Sequence, residues 1–162
     1  MAKAGGGTRN RANNASTESN LKNNFRKDIL NSEEFSEIER NADYYKGSRT
    51  ALAKELKGLY KEAVDTVKDV VNNFNLESVE GVYNIETYYR ERLSSLNSKI
   101  SDKIEALRYN ADRGYANKTR AEQAVSELYS LKRNIDNVGK KATNSNNLQR
   151  LNEILIKKGK WK

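Results

Sequence analysis

From about Ser78 to Asn110 and on to Ala111, apolar residues recur every three or four positions without a break: Val82, Ile85, Tyr89, Leu93, Leu96, Ile100, Ile104, Leu107 and Ala111. Steps of three and four keep side chains on one stripe of an α-helix, whose directions repeat every ~3.6 residues, and scatter them over both faces of a strand. The chain contains no proline, so no residue is missing the amide proton that a continuous helix needs. At ~1.5 Å per residue, a helix of roughly 33 residues extends ~50 Å, longer than a small compact domain is wide. An elongated bundle or hairpin is the expected consequence.

The same spacing recurs elsewhere in the 162 residues. Ser32 offers an N-cap, Glu33 and Glu34 suit the positive end of a helix, and Phe35, Ile38, Ala42 and Tyr45 follow at helical intervals up to Gly47. Ser48 reads as the next N-cap, leading into Leu52, Leu56, Leu59, Ala63, Val67, Val70 and Phe74; Asn72, Asn73 and Asn75 mark the connection. After the break at Asp112, Arg113, Gly114 and Tyr115, a further stripe runs through Ala121, Ala124, Leu128, Leu131, Ile135 and Val138, and Gly139 reads as its end. Lys140 to Asn147 then reads as a polar loop, before a short amphipathic helix carrying Leu148, Leu151, Ile154 and Leu155. No alternation of strand type is sustained. The expected fold is all-α: an elongated antiparallel helical bundle or hairpin with one long central helix.

Residues 1–24 are rich in Gly, Asn and Ser, and after Met1 Leu21 is their only sizeable hydrophobe. Such a segment buries too little surface to offset its chain entropy, so a flexible, disordered basic arm is expected over residues 1–30. The bundle then occupies 31–139, and 140–162 supplies loop, short helix and basic tail. The basic start has no apolar core of the kind a secretory signal carries, and the longest apolar runs are far short of the ~20 residues that cross a membrane. The expected setting is therefore a cytoplasm or a particle assembled in one, with no membrane partner.

Charge sharpens this division. The net +8 resolves into +4 for residues 1–30, −3 for 31–115 and +7 for 116–162. Basic ends flanking a near-neutral middle suit a polyanion or an acidic protein surface, since clustered Lys and Arg release counterions from nucleic acid; ordinary solvation accounts for the same pattern. There is no His and no Cys, which excludes Ser-His-Asp and Cys-His catalysis, zinc fingers and disulfide frameworks. Only carboxylates, Lys, Ser and Tyr remain for chemistry, and no arrangement of them reads as catalytic. No cofactor or metal site is expected.

Thr50 to Gly58 superficially resembles the start of a helix-turn-helix, but Leu52, Leu56, Leu59 and Ala63 stay in phase through Gly58, as in one continuous helix. Glu62, Asp65 and Asp69 share a helix face that Lys61 and Lys68 flank, a pattern better suited to solvent than to a cation. Gly5-Gly6-Gly7-Thr8-Arg9 lacks the Lys-Ser/Thr ending of a phosphate loop. In the neighbouring pairs Tyr44-Tyr45 and Tyr88-Tyr89, directions ~100° apart put one ring in a core and leave the other at its boundary. Near the second pair, Arg90 and Arg92 are diluted by Glu86 and Glu91. The candidate contact residues are therefore Arg9 and Arg11 in the arm, and Lys157, Lys158, Lys160, Trp161 and Lys162 in the tail, where four cations surround the only Trp.

The opening Met1-Ala2-Lys3-Ala4-Gly5-Gly6-Gly7-Thr8-Arg9 resembles the short heads of some virion and cargo-like proteins of phages and prophages of Bacteroidetes, crAss-like phages among them. The resemblance spans nine residues and implies a recruitment or contact role for residues 1–11. With the basic ends, it leads to the expectation of a non-enzymatic phage structural or virion-associated protein, found in the virion or host cytoplasm. Its partners would be other virion proteins, with DNA or RNA reached through the basic ends. The alternative is a nucleic-acid-binding accessory protein free in the cytoplasm, and an enzyme restricted to carboxylates or Lys is a third reading. The same seams serve an intramolecular bundle or a homo-oligomer.

Overall fold

A computed structural model describes residues 6–45, 47, 49–114 and 117–162, the first eleven of these through their backbone only. The described residues form seven helices: α1 (Gly6–Leu30), α2 (Glu33–Tyr44), α3 (Ala51–Asn73), α4 (Val79–Tyr83), α5 (Ile85–Asp112), α6 (Lys118–Thr143) and α7 (Asn146–Lys157). No strand occurs among them, and no helix is long and apolar enough to cross a membrane. The expected all-α class holds.

Helix starts follow from local chemistry. The first turn of a helix leaves amide protons without partners, and a Ser, Thr or Asn oxygen just before it can accept one. Ser32 Oγ accepts from Phe35 N at 3.2 Å, Asn117 Oδ1 from Arg120 N at 3.0 Å, and Ser145 Oγ from Leu148 N at 3.3 Å. Thr50, not Ser48, caps α3, its Oγ1 accepting from Ala53 N at 3.2 Å; Ser48 lies outside the described residues. Gly114, with φ of +74°, ends the α5 region in the left-handed conformation expected of it; Tyr115 lies outside the described residues.

Cross-links between helices show how they run. Along α5 and α6, Arg108 stacks over Tyr129, Lys132 Nζ donates to Ser101 Oγ at 3.0 Å, and Tyr89 Oη donates to the Ile135 carbonyl at 2.5 Å. Residue number rises on one helix as it falls on the other, so the two are antiparallel. Lys103–Glu55 and Lys99–Glu62 (2.9 Å) give α3 and α5 the same relation, and Lys141–Glu34 (2.8 Å) with Tyr45–Glu127 gives it to α2 and α6. These faces enclose a core that includes Phe35, Ile38, Val67, Leu93, Ile100, Leu128 and Ile135. Both tyrosine pairs divide as the helical geometry requires: Tyr45 and Tyr89 are buried, Tyr44 is exposed and Tyr88 half-buried.

Buried phenols find partners. Tyr45 hydrogen-bonds the Glu127 carboxylate, Tyr60 Oη donates to the Glu127 carbonyl at 3.1 Å, and burial raises the pKa of Tyr45, Tyr60 and Tyr89 well above the ordinary value, because a phenolate would lose its hydration. Glu34 shifts the other way. The hydrogen bond from Lys141 stabilises its carboxylate and lowers its pKa.

The structure corrects two boundaries within the body. The helix expected from Ser78 to Asn110 is interrupted at Asn84 (φ −89°, ψ 6°), leaving the short α4 and the 28-residue α5. α4 is anchored separately: a Cβ added to Gly81 would lie 2.3 Å from the Asn75 carbonyl oxygen, so only glycine permits this approach to the α3–α4 connection. Gly139 does not end α6, which continues to Thr143, so most of the expected loop from Lys140 is helix. The glycine instead makes room for Tyr89, whose Cε1 would lie 2.7 Å from an added Cβ.

The largest correction concerns the arm. Leu21, Phe25 and Ile29 recur every four residues on α1 and are almost completely buried, with Phe25 at 6.0 Å between ring centroids from Phe74. Residues 17–30 are thus part of the body, because α7 supplies the face they need; α1 packs along it. Each such side chain contributes roughly 1.5–3 kcal/mol when fully buried. The expectation of an arm over residues 1–5 lies outside the described residues.

Candidate contact surface at the joined chain ends

α7 carries Leu148, Leu151 and Leu155 into the core and ends in Lys157-Lys158-Gly159-Lys160. Gly159 has φ of +72°. Its N–H donates to the Ile156 carbonyl at 3.0 Å while Lys160 N donates to the Leu155 carbonyl at 3.0 Å. This pair of bonds is the Schellman closure, which satisfies the last carbonyls of a helix and turns the chain sharply away. The turn has a consequence for the tail. Val79 N donates to the Lys160 carbonyl at 2.7 Å, and Glu80 N to the Trp161 carbonyl at 3.1 Å. Ser78 Oγ takes the Gly81 amide at 3.0 Å, so three first-turn donors of α4 are satisfied, two of them by the tail.

The tail is therefore docked through its backbone and leaves its side chains outward. Lys157, Lys158, Lys160, Trp161 and Lys162 are all exposed, Trp161 at 55%. Lys158 is the one that pairs, with Glu18 of α1 at 3.0 Å. No ion pair engages Lys157, Lys160 or Lys162 among the described residues. Lys162 stands at a cleft of about 280 Å³ walled by Asn75, Ser78, Glu80 and Tyr88. Glu80 lies on the docked backbone and Glu18 pairs with Lys158, so the surface is cationic and aromatic with acidic residues at its edge.

The middle of α1 meets the tail here. α1 runs antiparallel to α7, since Asp28 accepts from Asn147 Nδ2 at 2.5 Å at one end and Glu18 meets Lys158 at the other. Lys22 of α1 also pairs with Glu77, at 2.5 Å, beside the start of α4. Arg9 and Arg11 lie on the same helix toward its beginning, beyond Glu18, which directs that stretch of backbone past the tail. Their side chains lie outside the described ones. The sequence-level candidates thus divide into a tail group that the fold assembles and an arm pair whose helix leads to it.

Two features escaped the reading of the sequence. The Gly159 closure had a signal, a glycine directly after an amphipathic run ending in two lysines. The second is where the positive charge lies: Lys118, Arg120, Lys132, Arg133, Lys140 and Lys141 belong to α6, so more than half of the 11 cations in 116–162 sit on the body rather than in the tail. Comparison with family models, characterised proteins and solved structures gave no match for this chain.

Proposed function

We propose that this chain is a non-enzymatic structural protein of a phage particle, in which an elongated antiparallel helical bundle with α5 at its centre acts as a spacer. The joined chain ends make the contact, with nucleic acid or with other virion components. The observation that carries the reading is the docked tail: Lys157, Lys160 and Lys162 without carboxylate partners among the described residues, grouped around the exposed Trp161 on a backbone fixed by α4. Fixed cations bind a polyanion without the entropy cost of ordering a loose segment. The particle setting rests on the resemblance of residues 1–9.

A salt titration of duplex DNA binding tests the contact. Replacing Lys157, Lys160 and Lys162 by Gln should reduce the slope of log K against log salt by about 2–3, at ~0.9 per phosphate contact. Absence of binding by the full chain at low salt defeats the nucleic-acid half of the proposal. Co-sedimentation tests the other half: a chain that stays monomeric in light scattering and never travels with particles is not a structural component. Sedimentation with nucleic acid alone favours the accessory-protein reading.

A further inference from the structure

The cations of α6 do not lie at the chain ends, and four of the six share a face with α5. Arg108 of α5 and Lys118, Lys132, Arg133 and Lys140 of α6 line two adjoining concavities that meet at Arg108, Glu122 and Val125; the larger is an open groove of about 730 Å³. None of these five cations is in an ion pair among the described residues, and Lys132 spends one proton on Ser101. Asp112, Glu122 and Asp136 are the carboxylates of this lining, so the face keeps an excess of positive charge.

Aromatic rings accompany the charge. Tyr129 is exposed in the larger groove, and the Arg108 guanidinium lies over its ring at 5.2 Å. Just past the end of α5, and outside the lining of the two concavities, Arg113 lies over the exposed Tyr109 at 4.3 Å. An Arg plane resting on a Tyr ring presents a flat surface to a base and N–H donors to a phosphate, the pairing that single strands exploit. A duplex hides its base faces and uses only the charge. An acidic polypeptide likewise has no use for stacked planes.

We propose that the α5–α6 face is a binding track for single-stranded nucleic acid, separate from the joined chain ends. Arg108, Arg133 and Lys140 hold phosphates, and the Arg108–Tyr129 pair stacks a base. All four side chains are exposed, so their replacement leaves the core untouched.

The test measures anisotropy of a labelled oligothymidylate with the full chain. The R108Q/R133Q/K140Q variant should bind at least tenfold more weakly at low salt, with a salt slope smaller by about 2, at ~0.7 per single-strand phosphate contact. Tyr129→Ala should weaken binding about fivefold or more with an unchanged slope. In the K157Q/K160Q/K162Q background, which removes the chain-end cations, the R108Q/R133Q/K140Q loss should persist undiminished, which separates this surface from the chain ends. Circular dichroism melting shows that each variant is folded. Wild-type affinity and slope in the R108Q/R133Q/K140Q variant overturn the proposal. So do no binding by the full chain, loss confined to the tail variant, or polyglutamate competing as well as the oligonucleotide and indifferent to Tyr129.

Discussion

The α5–α6 pair and the α1–α7 pair are both antiparallel helix pairs with buried apolar stripes, yet they are built differently. α5 and α6 follow one another in the chain and each carries a stripe of six or more core residues, such as Leu93, Leu96 and Ile100 facing Leu128, Leu131 and Ile135. α1 and α7 come from opposite ends of the chain and carry three buried stripe residues each: Leu21, Phe25 and Ile29 on one, Leu148, Leu151 and Leu155 on the other. Neither short stripe sustains a helix in water alone, since isolated helices are marginal and draw most of their stability from packing. The difference teaches that the mean polarity of a segment is a poor guide to whether it packs. Three hydrophobes at the right interval suffice when a partner elsewhere presents a matching face.

The largest expected effect tests whether the end pair belongs to the fold. Phe25→Ala should destabilise the chain by about 3–5 kcal/mol in urea denaturation, as truncation of a buried aromatic does. A loss below about 1 kcal/mol would return residues 17–30 to the status of an arm.

A smaller effect probes the body. In Gly139→Ala the added methyl meets Tyr89, and overpacking of about 1–3 kcal/mol outweighs the gain of about 1 kcal/mol in helix propensity. Thermal melting should show a net loss. A gain would mean that Tyr89 moves aside freely and that its bond to Ile135 matters little.

The smallest is local to the tail. Gly159→Ala forces a side chain into the left-handed region at a cost of about 1 kcal/mol. Hydrogen exchange at Val79 and Glu80 should accelerate while amides in the middle of α5 keep their protection. Unchanged exchange at both would show that α4 does not depend on the tail carbonyls.

How legible this was varied with how local the cause was. The stripes of α3, α5 and α6 were readable because each recurs over many turns, and Ser32 and Gly114 announced their roles by residue type. The packing of residues 17–30 left little trace because Leu21 stands alone among polar residues, and the Phe25 and Ile29 that complete its spacing need α7, far along the chain, to cover them. Gly139 was read as a helix end because glycine usually punctuates; its neighbour across the interface, Tyr89, lies fifty positions away and leaves no mark near it. For the contact residues, the composition of the tail was visible, but not that its backbone would cap α4.

By itself the sequence determined the helical class, the phase of the long stripes, which member of each tyrosine pair turns inward, and the uneven distribution of charge along the chain. These depend on spacing and residue type within a few turns. Only the tertiary structure decided that α1 packs along α7 and meets the tail, that the expected long helix divides at Asn84, and that five cations gather on the α5–α6 face. Each depends on groups distant in the chain satisfying one another: leucines of α7 covering α1, and carbonyls of the tail accepting the first amides of α4. Pairings of that kind exist only after the chain has closed on itself.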